Sequence, residues 1–234
     1  MGKIVNGESR SLSSDVYSSI RQLVFSGQLE PGRWIQLGAL SDRLEVSKTV
    51  IREVLSTLVG EGLLELIPGR GFRVAEFSPS ELPELTEVRC LVETYALKKS
   101  VDKGDVDWEA RLIAAHHRMS REPRRASDDD RMLNQEWARL HAEFHWVLIS
   151  NASVPALQDF CRKLAAMFDI CRLQIGPELG ARDVEDEHRE IVAAVLERDA
   201  DRAGDLLARH YRETTHHLLQ QWEQSQKQLG VKAE

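Results

Sequence analysis

The sequence predicts a mainly α-helical protein in two parts: three helices and a β-hairpin up to residue 77, then helices alone from residue 78. Three observations carry this. Apolar residues recur at three- and four-residue spacing along most of the 234 residues. A segment of strand character, Leu63 to Ala75, is split by the turn residues Pro68-Gly69-Arg70-Gly71. All eight histidines lie at or after His116, so the two parts differ in chemistry as well as in pattern.

The elements follow in order. Val16, Ile20, Leu23 and Val24 stand at helical spacing between Leu12 and Phe25, and Ser26-Gly27 ends that run; residues 1–10 are expected to be a flexible tail. After the turn Glu30-Pro31-Gly32, Leu37 to Leu44 forms a short helix with Leu40 and Leu44 on one face. Ser47 then caps a helix running from Lys48 to Leu58, in which Ile51, Leu55 and Leu58 must face a core. Gly60-Glu61-Gly62 stops it, and the strands Leu63 to Ile67 and Phe72 to Ala75 close a hairpin. Ser78-Pro79-Ser80-Glu81 joins a capping serine, a proline at the first helical position and an acid at the third, so a new domain starts at residue 78.

Two helices meeting across a tight turn, followed by a hairpin, make a winged helix-turn-helix. Lys48, Thr49, Arg52 and Ser56 fall on the stripe opposite the buried one, where cations and hydroxyls reach phosphates or base edges of a DNA groove. An ordinary solvated face would carry the same residues. Arg70 sits between two glycines at the hairpin tip, as a narrow groove requires. The run Val46-Ser47-Lys48-Thr49, Arg52-Glu53-Val54-Leu55, Glu61-Gly62-Leu63-Leu64 and Pro68-Gly69-Arg70-Gly71-Phe72 resembles the DNA-binding domain of GntR-type bacterial transcription regulators over residues 12 to 76. That resemblance implies DNA contacts from Lys48, Thr49, Arg52, Arg70 and Gly71. The family pattern has Gly, Arg and Pro where this chain has Glu45, Lys48 and Val50; Lys48 keeps the charge but loses the bidentate fork.

From residue 78 onward helical periodicities recur, broken at Gly104, at Pro123 to Ser127, near Val154-Pro155, at Gly176-Pro177 and near Asp199, which gives about six helices. Their buried stripes are expected to include Leu85, Val88, Leu91, Val92 and Tyr95 in the first, and Leu140, Phe144, Val147 and Leu148 in the third. Ser127 and Asp130 resemble a capping box ahead of that third helix. Such an array is a bundle whose interior can hold a ligand or metal. His141 and His145, four apart, share an inward stripe, either as a hydrogen-bonded structural pair or as half of a metal site. His188 and His210 add imidazoles from two more helices, and imidazole suits Zn, Ni, Cu or Fe. The adjacent pairs His116-His117 and His216-His217 cannot each face one site, because neighbours on a helix point about 100° apart.

Phe144-His145 with Asn151, then Glu187-His188, Ile191, Ala194, Asp199, Ala203 and His210, resembles the FCD effector-binding domain of FadR-like regulators. In metal-binding members of that family three histidines and an Asp hold the ion. The resemblance implies His145, His188 and His210 as ligands, with His141 at the Asp position. The loss of that negative charge shifts preference toward zinc or nickel, while a metal-free pocket stays open as an alternative. Arg89 matches an arginine that can grip an effector carboxylate, with Asn151 as a further effector contact; a salt bridge to Glu93, four residues on, is the competing role.

Composition bounds the rest. Hydrophobic residues are 42% and charged residues 29%, with 14 Gly and 7 Pro, which excludes fibrous and disordered classes. No stretch approaches a membrane span, and the polar start MGKIVNGESR lacks an apolar export segment, so a cytoplasmic protein is expected. Cys90, Cys161 and Cys171 suggest no disulfide framework. The net charge of −7 argues against a nucleic-acid partner only when taken whole. Residues 1–77 hold nine Lys+Arg against nine Asp+Glu, so the excess acid belongs to residues 78–234. The expected protein is a homodimeric, ligand-responsive regulator on a palindromic double-stranded DNA site, a repressor released by a small organic acid. A metal-dependent enzyme with a DNA-binding appendage is the rival, raised by Glu185-x-x-His188.

Overall fold

A computed structural model describes residues 6–125, 134–175 and 184–228. The chain divides into two compact units, Met1–Phe77 and Ser78–Glu234.

In the first unit α1 (Asn6–Phe25), α2 (Leu37–Leu44) and α3 (Lys48–Gly60) precede an antiparallel hairpin of β1 (Leu64–Ile67) and β2 (Gly71–Val74). Helix α1 starts at Asn6, so residues 6–10 are helix and not the expected tail. Those polar residues carry no apolar stripe, and periodicity therefore does not reveal them. Ser47 caps α3 by accepting from the Val50 amide at 3.3 Å. The core joins Ile20 and Val24 of α1, Leu40 of α2, Ile51, Leu55 and Leu58 of α3, and Leu64, Phe72 and Val74 of the hairpin. Tyr17 and Arg21 of α1 both reach Glu61 just past α3, at 2.8 and 2.9 Å, which fixes the packing of the two helices. The segment before α2 adds a third edge to the hairpin: Ile35 donates to the Phe72 carbonyl and Val74 to that of Arg33.

The second unit opens as its sequence indicates. Ser78 and Glu81 form a reciprocal capping box around a single 3-10 turn, from which α4 (Leu82–Lys103) grows. There follow α5 (Val106–Arg121), α6 (Gln135–Ile149), α7 (Pro155–Ile175), α8 (Val184–Leu196) and α9 (Ala200–Gln228), six helices among the described residues. Asn134 caps α6 through the Glu136 amide; the capping box expected at Ser127 and Asp130 lies outside the described residues. The core is built on Leu97, Trp108, Leu112, Phe144, Leu148, Ile191, Val195 and Leu207. Trp108 is fully buried, and its indole N–H is satisfied by the Val147 carbonyl at 2.8 Å.

Helix α4 packs most extensively against α9. Between them run the pairs Glu87–Arg212 (2.7 Å), Thr86–Thr215 (2.5 Å), Glu93–Tyr211 (2.5 Å) and Lys98–Asp201 (2.6 Å). Arg198, in the turn before α9, donates to the carbonyls of Val101 and Gly104 and so caps the end of α4. The buried stripe of α4 differs from the expected one. Leu85 is buried and Val92 half-buried, but Val88, Leu91 and Tyr95 are 40, 73 and 54% exposed, while Arg89, Cys90, Glu93 and Leu97 face the core. The helix has apolar residues on both sides, so spacing alone does not choose between them. Mutual neutralisation of Arg89 and Glu93 lets the polar side go inward.

Candidate functional site

The exposed face of α3 begins at its N-cap. Burial of Ile51, Val54, Leu55 and Leu58 turns Lys48, Thr49, Arg52 and Ser56 outward, and all four are exposed. The Ser56 hydroxyl donates to the Arg52 carbonyl at 2.8 Å, which leaves its oxygen as an acceptor. Arg70 is exposed at the hairpin tip between Gly69 (φ 74°) and Gly71 (φ 99°). Nothing lies within 4 Å of where a side chain at either glycine would begin, so glycine is needed there for its backbone angle and not for room.

Side-chain pairing separates this set from Arg21, Arg33, Arg43 and Arg73 of the same unit. Arg21 pairs with Glu61, Arg33 with Glu30 and Arg73 with Glu65, and Arg43 donates to Gln28 at 2.7 Å. Lys48, Arg52 and Arg70 form no ion pair among the described residues. One further feature was hidden from sequence reasoning. Glu45, in the turn between α2 and α3, adopts φ 55° and ψ 37°, a left-handed conformation that suits the glycine of the family pattern.

In the second unit three helices bring four imidazoles together. His141 and His145 come from α6, His188 from α8 and His210 from α9; one ring nitrogen of each can be chosen so that all lie within 4.8 Å of one another. His145 Nε2 and His141 Nε2 are 3.0 Å apart. His145, His188 and His210 are buried and His141 half-buried. Burial, followed by the neighbouring imidazoles, holds the pKa of His141 well below its ordinary value; burial, His210 and Arg89 do the same for His145. Both rings are therefore neutral at neutral pH, as metal ligation requires.

Groups behind the rings fix their tautomers. Glu187 accepts from His210 Nδ1 at 2.8 Å, because a carboxylate only accepts, and so His210 Nε2 keeps its lone pair. Tyr211 donates to Glu93, which leaves its oxygen to accept from His145 Nδ1 at 3.3 Å and puts the lone pair of His145 on Nε2, the nitrogen beside His141. Trp137 stacks on His141 at 4.6 Å, and Phe144 meets His145 and His188 edge-on. Glu93, Trp137, Glu187 and Tyr211 carried no sequence signal for this role, since their partners are remote in the chain or share only a helix face.

The donor set suits a divalent metal in kind, and one pair is already spaced for it, while separations of up to 4.8 Å elsewhere in the set mean that the rings would draw inward around an ion. Zn–N bonds of 2.0–2.1 Å put neighbouring nitrogens roughly 2.9–3.4 Å apart, depending on coordination number, and the 3.0 Å pair lies in that range. Arg89 does face inward, and its salt bridge to Glu93 is formed, with contacts of 2.7 and 3.2 Å. Its guanidinium lies between Tyr211 (4.1 Å) and Phe168 (4.7 Å). Burial is the largest single influence and opposes the charge on Arg89, but Glu93, Tyr211 and Asp169 together outweigh it and hold the pKa above its ordinary value. Asn151 is half-buried in the turn beyond α6, six residues after His145. His116 packs against Phe144 at 5.6 Å, outside the four-imidazole group, and His216 is exposed.

A winged helix-turn-helix joined to an all-helical domain defines a two-domain bacterial transcription regulator. Residues 12–74 match the model of the bacterial regulatory proteins of the gntR family, and residues 84–213 match that of the FCD domain. The chain is 34% identical over 202 residues to the HTH-type transcriptional regulator BphR of Paraburkholderia xenovorans strain LB400, covering 86% of this chain and 82% of that one. It is 28% identical over 207 residues to the HTH-type transcriptional repressor GlaR of Escherichia coli K12, covering 85 and 91%. The solved structure of E. coli McbR/YncC superposes with a TM-score of 0.71 at 21% identity, over 90% of this chain and 98% of that one, a likeness of fold. The protein belongs to the GntR family and carries an FCD domain. It is a transcription regulator and not an enzyme, which sets aside the reading suggested by Glu185 and His188. No helix among the described residues is long and apolar enough to cross a membrane.

Proposed function

We propose that this protein is a metal-dependent, effector-responsive repressor that binds a palindromic operator as a homodimer. The observation that carries the proposal is the convergence of four imidazoles from three helices, two of them held by Glu187 and Tyr211 in the tautomer whose Nε2 carries the lone pair. His141, His145, His188 and His210 hold a zinc or nickel ion, and the ion supplies a Lewis-acidic anchor for the carboxylate of a small organic acid. Four neutral imidazoles would leave the charge of the ion they hold uncompensated, which favours an anionic effector. Arg89 is a second cation for that acid, provided the acid displaces Glu93. Asn151 contributes at the edge of the site.

In the first unit Lys48, Thr49, Arg52 and Ser56 enter the major groove while Arg70, beside Gly71, follows the minor groove. One such reader neutralises few phosphates, so two are needed. The exposed stripe Val88, Leu91 and Tyr95 of α4 supports a second copy as the covering partner. Effector and DNA then alter each other's affinity by the same factor.

Elemental analysis of purified full-length protein should find about one zinc or nickel per chain, lost in His188→Ala and His210→Ala. Protein without metal at neutral pH, free of chelator, would overturn the metal reading. Footprinting on the protein's own upstream region should give a protected palindrome that disappears with Arg52→Ala; sequence-independent binding would sink the operator reading.

A further inference from the structure

We infer that the cleft beside His188 is the outer half of the effector site and that Arg121 selects acids with a second carboxylate at the far end. The inference rests on the metal-anchored reading above. A cleft of about 380 Å³ is lined by His188, Trp137 and Glu185 together with Arg121 at the end of α5 and Arg124 just past it. Its inner wall thus contains one of the four imidazoles and the ring that backs a second, His141. Its volume lies in the range of small-molecule sites.

The lip of this cleft is held in place. Asn134, the cap of α6, donates through its amide side chain to Glu122 at 2.7 Å and to the Pro123 carbonyl at 3.0 Å, and its backbone N–H donates to the Arg124 carbonyl at 2.9 Å. Residues 122–124 are therefore tied to the start of the helix that carries His141 and His145. The cations of the lip differ in what they have left to offer. The Arg124 guanidinium lies over Trp137 at 5.4 Å and closes the wall. Arg118, one turn earlier, is paired with Glu143 at 2.6 Å. Arg121 lines the same cleft as His188, is exposed and forms no ion pair among the described residues, so its guanidinium has N–H donors left for an anion there. An acid with one carboxylate on the metal and another near Arg121 uses both ends.

The test compares acids of equal length with one or two carboxylates: butyrate with succinate, pentanoate with glutarate, hexanoate with adipate. Their affinities for metal-loaded full-length protein are measured by calorimetry and thermal shift, with metal content checked after each titration. At one chain length or more the diacid should bind about tenfold tighter than the monoacid, the scale of one charge-assisted contact. Arg121→Ala should bring that ratio to within about twofold, and Arg121→Lys should restore part of it. A ratio unchanged in Arg121→Ala, or no diacid preference at any length, overturns the inference while leaving metal-dependent binding of monoacids intact. Binding of no acid to the metal-loaded protein overturns the underlying effector reading together with this one.

Discussion

Glu187 offers a direct test of whether the imidazole cluster holds a metal. Its carboxylate accepts from His210 Nδ1 at 2.8 Å and is 21% exposed, so it acts on one ligand from a position that tolerates substitution. Glu187→Gln keeps an acceptor but removes the charge that raises the basicity of His210 Nε2. Glu187→Ala removes both and releases the ring from its tautomer. Outer partners of this kind change metal affinity by about 10- to 100-fold, or roughly 1.4–2.7 kcal/mol. Partial exposure places the Gln variant near the lower figure and the Ala variant toward the upper. Competition with a chromophoric chelator, for zinc and for nickel, measures both. Glu190→Gln is the control: it removes a surface pair with Arg209 from the same helix and should leave metal affinity unchanged. Unchanged affinity in Glu187→Ala, or an equal loss in Glu190→Gln, would refute the tautomer argument, provided circular dichroism shows both variants folded.

Other consequences are open to simpler measurements. Glu45→Gly relieves a left-handed residue that costs roughly 1–2 kcal/mol while restoring about 0.5–1 kcal/mol of chain entropy to the unfolded state, so the first unit should gain about 0.5–1 kcal/mol and melt a few degrees higher by calorimetry; a lower midpoint counts against the backbone assignment. In metal-stripped protein the depressed pKa values of His141 and His145 make stability full above the unfolded value of about 6.5 and lost as pH falls below it, because the unfolded chain takes up protons that the folded one refuses. Each such proton tilts stability by up to about 1.4 kcal/mol per pH unit, and denaturant midpoints that stay flat from pH 7 to 5 would contradict it. Leu91→Glu, at the most exposed apolar position of α4, should shift the protein from dimer to monomer in light scattering and weaken operator binding; an unchanged mass would place the dimer elsewhere. Removing Lys48, Arg52 or Arg70 singly should lower the salt slope of DNA binding by about one each if the contact is to phosphate.

The helix-turn-helix and the inward turn of His141 and His145 are legible in the sequence because caps and periodicity act locally. Ser47, Ser78 and Glu81 announce helix starts within three residues, and the α6 stripe of Leu140, Phe144 and Leu148 leaves one inward direction for the histidines. Helix α4 is not legible in that way. Val88, Leu91 and Tyr95 compete with Leu85, Cys90 and Leu97 for the core, and what decides is a pairing between Arg89 and Glu93 sandwiched by residues far along the chain. The supports of the imidazoles share that difficulty: Glu187 lies 23 residues from His210, and Tyr211 66 from His145. Glu45 is a third kind of case, in which the residue type argues against the conformation that it adopts.

The pairing of α4 with α9 bears on how the second unit is made. A chain synthesised from its N-terminus exposes Arg89, Glu93 and Thr86 long before Tyr211 and Thr215 exist, and the carbonyls that Arg198 caps wait through nearly a hundred residues. The contacts that close the bundle are therefore of long sequence separation, which slows folding relative to a bundle of sequential neighbours. The first unit has its own core and is finished earlier. The nascent regulator thus passes through a stage with a completed reader and an open helical domain. Commitment to the closed bundle comes only with the last helix, the one that also delivers His210.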